Sequence, residues 1–169
     1  MPWIVSAVTD SAGQLLEGRR TEWRQALAPE VAYLVTDVLQ GTFEVGTARR
    51  AMALGYHGNA AGKTGTTDDT RDAWFVGFAP DLLAVVWVGY DDNRKLGLTG
   101  SQAALPIWTR FMKAAVSGRA KGSFAPPSGI THARIDPTNG MIATPACPNA
   151  RAEVFLTGTE PRRLCSQHR

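Results

Sequence analysis

Residues 58–78 read GNAAGKTGTTDDTRDAWFVGF, and the fold turns on what Lys63 does in them. Gly62-Lys63-Thr64 are the letters that close a phosphate-binding P-loop, while Lys63-Thr64-Gly65 can equally be read as a lysine, a hydroxyl and a glycine in a row, suited to holding a carboxylate. A P-loop needs four residues between its first glycine and the Gly-Lys pair, so that the backbone can wrap the phosphates before a helix begins. The required position is His57. Gly58 and Gly55 give wraps of the wrong length, and the residues after Lys63, Gly65-Thr66-Thr67-Asp68-Asp69-Thr70, are poor helix formers. A P-loop nucleotide binder is therefore the remote alternative. An edge strand suits the residues better: glycine lets a ligand approach the backbone N–H groups, and hydroxyls beside a lysine can hold a carboxylate.

Outward from this stretch, residues 60–67, 72–79 and 83–90 form three extended runs separated by Asp68-Asp69 and Ala79-Pro80-Asp81, the simplest arrangement being an antiparallel meander. Leu83–Val88 is apolar enough to predict a buried central strand. Upstream, Val31, Leu34, Val35, Val38 and Leu39 recur with helical period behind Pro29 and Glu30, and that helix should end near Gly41–Gly46. Residues 47–54 predict a short helix capped by Thr47 and stopped at Gly55. Downstream, residues 103–116 predict a helix with Leu105, Trp108, Phe111, Met112 and Ala115 on one face, packed on the sheet. Hairpins are expected at residues 4–17, around Asp10-Ser11-Ala12-Gly13, and at residues 130–144, around Asp136-Pro137-Thr138-Asn139-Gly140. Between helix and second hairpin, Phe124-Ala125-Pro126-Pro127-Ser128-Gly129 reads as a linker, which divides the chain into 1–120 and 121–169. The rest of the tail carries no clear periodicity.

Composition fits a folded chain: 44% hydrophobic and 20% charged residues, with a net charge of +3. There is no basic, aromatic-studded stripe for nucleic acid and no apolar run of the ~20 residues a membrane span needs. Residues 1–5, Met-Pro-Trp-Ile-Val, lack the build of a signal peptide, so export would need a signal upstream of Met1. No cofactor or metal is expected. Cys147 and Cys165 allow a disulfide contributing about 3 kcal/mol by loop entropy. Cys165-Ser166-Gln167-His168 offers half a metal site, though with no CxxC or HxxxH beside it, and two unrelated thiols are the third option. His57, His132 and His168 stand in no triad pattern and receive no role.

AAGKTGTT followed by DAWFVGFAPDLLAVVWVGYDDN closely resembles the end of the transpeptidase domain of class A penicillin-binding proteins, the bifunctional enzymes that polymerise and cross-link peptidoglycan. APEVAYLVTDVLQGTFEVGTARRA is similar to the helix before that motif and GLTGSQAALPIWTRFMKAAV to the helix after the sheet. IDPTNGMIATPACPNARAEVFLTGTEPRRLC is similar to the C-terminal extension many of these enzymes carry. The resemblance implies an α+β chain, part of the penicillin-binding, serine β-lactamase-like transpeptidase fold, with an antiparallel sheet flanked by helices and a small β-rich tail. It implies that Lys63, Thr64, Gly65, Thr66 and Thr67 bind the D-Ala-D-Ala stem peptide and β-lactams. Lys63 would stabilise the carboxylate and relay protons, and the Thr66 N–H would form half of the oxyanion hole. Asp72, Trp74 and Phe75 belong to the family pattern, the two aromatics as core and cleft wall. The acylated serine of SxxK and the serine of SxN are missing, because none of Ser6, Ser11, Ser101, Ser117, Ser123, Ser128 and Ser166 has the required partner. The chain is accordingly expected to be the C-terminal piece of a larger enzyme at the periplasmic face, anchored to the inner membrane by an N-terminal part of the same enzyme. It should be inactive alone and have its two cysteines bonded. The alternative is a non-catalytic folded remnant or interaction module.

Overall fold

The computed structural model describes residues 5–19, 24–117 and 122–168. Residue 4 of the first expected hairpin and residues 118–121, next to the expected division of the chain, lie outside them. The first hairpin pairs β1 (Ala7–Thr9) with β2 (Leu15–Gly18). Its turn is held by the Asp10 carboxylate, which accepts hydrogen bonds from the Ala12 and Gln14 N–H groups. Helix α1 (Pro29–Glu44) follows, then a single helical turn, α2 (Arg50–Ala53), and the predicted meander of β3 (Ala61–Thr66), β4 (Ala73–Ala79) and β5 (Leu82–Val88). Helix α3 (Ala104–Ala115) lies across β4 and β5. The second sheet contains β6 (Ile130–Asp136), β7 (Met141–Ile142) and β8 (Arg151–Leu156) in the order β7-β6-β8.

Trp108 on α3 is the centre of the core. Its ring meets Phe75 at 5.0 Å, Tyr56 at 5.4 Å and Phe43 at 5.7 Å, all tilted or edge-on as the aromatic quadrupole favours. Its indole N–H donates to the Gly77 carbonyl at 3.1 Å, so the large buried ring leaves no donor unpaired. Gly77 makes room for it: a Cβ there would stand 2.8 Å from two Trp108 ring atoms and 2.7 Å from Phe75. Leu105, Thr109 and Met112 complete the buried stripe of α3 at i, i+3, i+4 and i+7.

Three expectations are corrected. The sheet order is β3-β4-β5, so β4 is central and Leu83–Val88 is an edge strand. Its residues alternate, with Leu82, Ala84, Val86 and Val88 packed on the core while Leu83, Val85 and Trp87 are exposed. Its apolar run reflects two apolar sheet faces, of which the described residues cover one. On α1, Val31, Val35 and Val38 of the helically spaced apolar set are likewise exposed, and Phe43 is the residue that enters the core. Phe111 is exposed too, because it falls beside the 105/108/109/112 stripe. Thr47 does not cap a helix; α2 starts three residues later, and the Thr47 hydroxyl instead meets that of Thr64 at 3.0 Å.

The tail is more ordered than its sequence suggests. Beyond the expected β6–β7 hairpin, β8 pairs antiparallel with β6 from Ile130 opposite Leu156 to Ile135 opposite Arg151. Residues 122–129 run across the main unit. The Asn59 side-chain amide donates to the Gly122 carbonyl at 2.7 Å, and the Phe124 ring stands edge-on to Phe78 at 5.6 Å.

The tight seat of Trp108 predicts that Gly77→Ala lowers stability by about 1–3 kcal/mol through overpacking, read as a drop in urea midpoint at unchanged slope. A midpoint within error of the parent would mean that the ring is loosely packed.

Candidate functional site

The Lys63-Thr64-Gly65-Thr66 segment lies on β3 at the free edge of the sheet, as the sequence predicts, and not at the start of a helix. Its register on β4 pairs Lys63 with Val76, Thr64 with Phe75, Gly65 with Trp74 and Thr66 with Ala73. The Thr67 N–H donates to the Asp72 carbonyl at 3.2 Å, one pair beyond the strand. Hydrogen-bonded and non-hydrogen-bonded pairs alternate in an antiparallel ladder, so 67/72, 65/74 and 63/76 are the bonded pairs. Thr64 and Thr66 therefore turn their backbone N–H and C=O groups outward from the edge. Gly62, in the same phase, behaves accordingly: its carbonyl accepts the Thr42 hydroxyl from α1 at 2.8 Å.

Directly opposed residues share a sheet face. Thr64 and Thr66 lie on the face of Phe75 and Ala73, toward the core, and Lys63 lies on the face of Val76, away from it. The Lys63 ammonium curls round the edge, donating to the Thr64 carbonyl at 3.0 Å and the Thr64 hydroxyl at 3.3 Å. An ammonium, a hydroxyl and two outward N–H groups thus meet along one exposed strand edge, an arrangement able to bind a carboxylate.

The five predicted binding residues divide. The Thr66 hydroxyl accepts the Gly100 N–H at 3.2 Å and keeps its proton to donate. Thr67 is used up in the turn: its hydroxyl donates to the Asp72 carboxylate at 3.0 Å and accepts the Asp72 N–H at 2.9 Å. The other Asp72 oxygen accepts the Trp87 indole N–H at 2.8 Å, which ties the β3–β4 turn to β5. Phe75 is wholly buried, whereas Trp74 is exposed on the uncovered face and stacks at a tilt on Trp87 at 6.2 Å.

Sequence reading missed two partners of this edge. Thr47 holds the Thr64 hydroxyl, and Gly100 packs against the strand so closely that a Cβ there would lie 2.3 Å from the Trp74 carbonyl oxygen and 2.7 Å from that of Gly65. The glycine itself was the available signal, but a close approach across 34 residues has no local pattern.

The cysteines are free, which departs from the expected disulfide. They are nevertheless neighbours, because Cys147 and Cys165 share a cluster with Asp136 and His168 in which the sulfurs face a carboxylate and an imidazole as well as each other. The His168 Nδ1 and Asp136 Oδ2 atoms stand 2.6 Å apart. Hydrogen bonds from the Thr138 hydroxyl and N–H hold the Asp136 carboxyl below the usual carboxylate range, and bonding to Cys165 and Asp136 raises His168. Burial pushes the Cys147 thiol up. At Cys165 burial acts in the same direction but is outweighed, chiefly by the hydrogen bond from Asn139, so that this thiol is lowered.

Residues 126–169 match the family described as "Penicillin-binding protein 1A, C-terminal domain". Over 168 residues the chain is 39% identical to Penicillin-binding protein 1A of Aquifex aeolicus (strain VF5), covering 98% of this chain and 23% of that protein. It is 43% identical over 132 residues to Penicillin-binding protein 1A of Pseudomonas aeruginosa, covering 77% of this chain and 16% of that one. The crystal structure of Penicillin-Binding Protein 1A from Haemophilus influenzae aligns with a TM-score of 0.81 at 26% identity, over 98% of this chain and 30% of that one. The chain thus spans about a quarter or less of the length of these two curated relatives.

Gly100→Ala is expected to unseat the residue 99–101 loop from β3, shifting the amide resonances of Gly65 and Thr66 and lowering stability by about 1–3 kcal/mol. Unmoved resonances would show that the loop can absorb a Cβ.

Proposed function

Because this chain belongs to the class A penicillin-binding proteins, at the C-terminal end of their transpeptidase domain, we propose that it supplies the substrate-binding strand of a peptidoglycan D,D-transpeptidase. That enzyme cross-links stem peptides through an acyl-serine, and β-lactams intercept the same serine. The observation that carries the proposal is the phase of β3. Thr64 and Thr66 turn their N–H groups to the free sheet edge where the Lys63 ammonium also lies.

In this reading the peptide's terminal carboxylate lies against Lys63, Thr64 and Thr66, and the Thr66 N–H is one of two donors to the oxyanion that forms when the serine attacks. Gly65 keeps the strand thin enough for the peptide backbone to approach, and Gly100 and Thr47 hold the strand's hydroxyls in place. Thr67 is left out of substrate contact, since its hydroxyl already serves Asp72. The acylated serine of SxxK and the second serine of SxN must come from outside this sequence, which contains neither motif. The apolar face formed by Trp74, Val76, Leu83, Val85 and Trp87, exposed among the described residues, supports a further segment packing on the side where Lys63 lies. Work on peptidoglycan is extracytoplasmic, and since no helix of the described residues is long and apolar enough to cross a membrane, anchoring would be supplied elsewhere.

Fluorescent penicillin is expected to leave the 169-residue chain unlabelled. The same chain joined to an upstream segment carrying SxxK and SxN should label. In that joined protein, Lys63→Ala or Thr66→Val should each slow acylation at least tenfold, about 1.4 kcal/mol. Covalent labelling of the chain alone would place the nucleophile within it, and unchanged acylation in both variants would remove the β3 edge from the chemistry.

A further inference from the structure

We propose that Asp136, Cys147, Cys165 and His168 form a structural zinc site that holds the C-terminal unit together. The sequence had led to the opposite expectation, of no metal, for want of a paired Cys or His motif. The four ligand atoms come from separate places: the end of β6, the loop after β7, and the final segment. All of them lie within 4.8 Å of one another.

The geometry suits a divalent ion with two soft and two harder ligands. A tetrahedron with Zn–S bonds of about 2.3 Å and Zn–N or Zn–O bonds of about 2.0–2.2 Å has edges of about 3.3–3.8 Å. Cys165 Sγ stands 3.1 Å from Asp136 Oδ2 and 3.6 Å from His168 Nδ1, so those edges are nearly formed. Nδ1 and Oδ2, now 2.6 Å apart and joined by a proton, would separate by under about 1 Å when an ion replaces that proton. Two thiolates, an imidazole and a carboxylate form a donor set that favours Zn²⁺ over Ca²⁺ or Mg²⁺. Four protein ligands leave no open position, so the role is structural.

The surroundings are also those of a ligand shell. Asp136 is aimed by its other oxygen, which accepts the Thr138 N–H at 2.9 Å and the Thr138 hydroxyl at 2.7 Å. Cys165 Sγ accepts from the Asn139 amide at 3.2 Å and Cys147 Sγ from the Thr144 N–H at 3.3 Å, bonds that favour thiolate sulfur. Between residues 122 and 168 the buried residues are Asp136, Cys147 and Cys165, at 2%, 7% and 3% exposure. The unit therefore has this polar cluster where an apolar core would stand, and small units of that kind are held by metal or disulfide. A disulfide would use the two sulfurs and leave the Asp136 and His168 donors pointing at it; an ion uses all four. Uptake of Zn²⁺ would release the two thiol protons and any proton on His168 Nδ1 to solvent.

The whole chain, purified reduced and without chelator, should carry one zinc per molecule by native mass spectrometry. Replacement by Co²⁺ should give the intense near-ultraviolet thiolate-to-cobalt band and the visible bands of a tetrahedral ion. Cys147→Ser and Cys165→Ser should abolish that spectrum. Should either fail to fold by circular dichroism, His168→Gln, at a half-exposed position near the chain end, should retain the fold and weaken Zn²⁺ at least about tenfold in chelator competition. A reduced, folded chain that takes up neither ion would overturn the proposal, as would native-source protein lighter by two hydrogens and free of metal, or unchanged affinity in the His168 variant.

Discussion

The contact between Trp108 and Gly77 sets the position of everything around the β3 edge. A side chain at residue 77 would collide with the indole, and without the indole the Gly77 carbonyl would lose its α3 donor. Because Gly77 is on the central strand, this one contact seats α3 on the sheet and brings Phe43 of α1 and Tyr56 against the same ring. Helix α1 in turn places Thr42 on the Gly62 carbonyl, one residue before Lys63. A single buried aromatic thus transmits order from helix to strand edge through close packing.

That edge is held in place by its neighbours and is exposed at the same time. Unpaired strand edges invite association. Here the outward groups are partly occupied by local partners, with Thr42 on Gly62 and Lys63 folded onto Thr64, while Gly100 seals the end of the strand from the side. The Thr67–Asp72–Trp87 chain of hydrogen bonds fixes the turn that sets the ladder phase. A one-residue slip would turn the Thr64 and Thr66 N–H groups inward and move Lys63 to the core face, so register and chemistry are one constraint.

The C-terminal unit solves a different problem. Its three strands are too few to bury an apolar centre, and the last segment is tied on by hydrogen bonds at both ends: Cys165 N–H to the Ile142 carbonyl at 2.8 Å, Ile142 N–H to the Arg163 carbonyl at 2.9 Å, and the Thr144 hydroxyl to the His168 carbonyl at 2.6 Å. These bonds hold the polar cluster closed around Asp136. The unit is also fastened to the main one through Phe124 on Phe78 and Gly129 beside Glu30 of α1.

Local pattern in the sequence was sufficient for the elements. Alternation and turn residues located β3, β4 and β5, helical spacing located α1 and α3, and a failed glycine count excluded a phosphate loop at Lys63. The place of the Lys63-Thr64-Gly65-Thr66 segment on an edge strand was legible because its residues are contiguous. Tertiary structure decided whatever depends on a second segment. It decided that β4 and not β5 is central, and that Val31, Val35, Val38 and Phe111 stay outside, since apolar spacing identifies a face without saying what covers it. It paired β8 with β6, engaged Thr67 in a turn, set Gly100 against the strand, and gathered Asp136, Cys147, Cys165 and His168 from positions spread over 32 residues. Periodicity is a property of neighbours along the chain, whereas a ligand cluster and a strand edge are properties of residues that only folding makes neighbours.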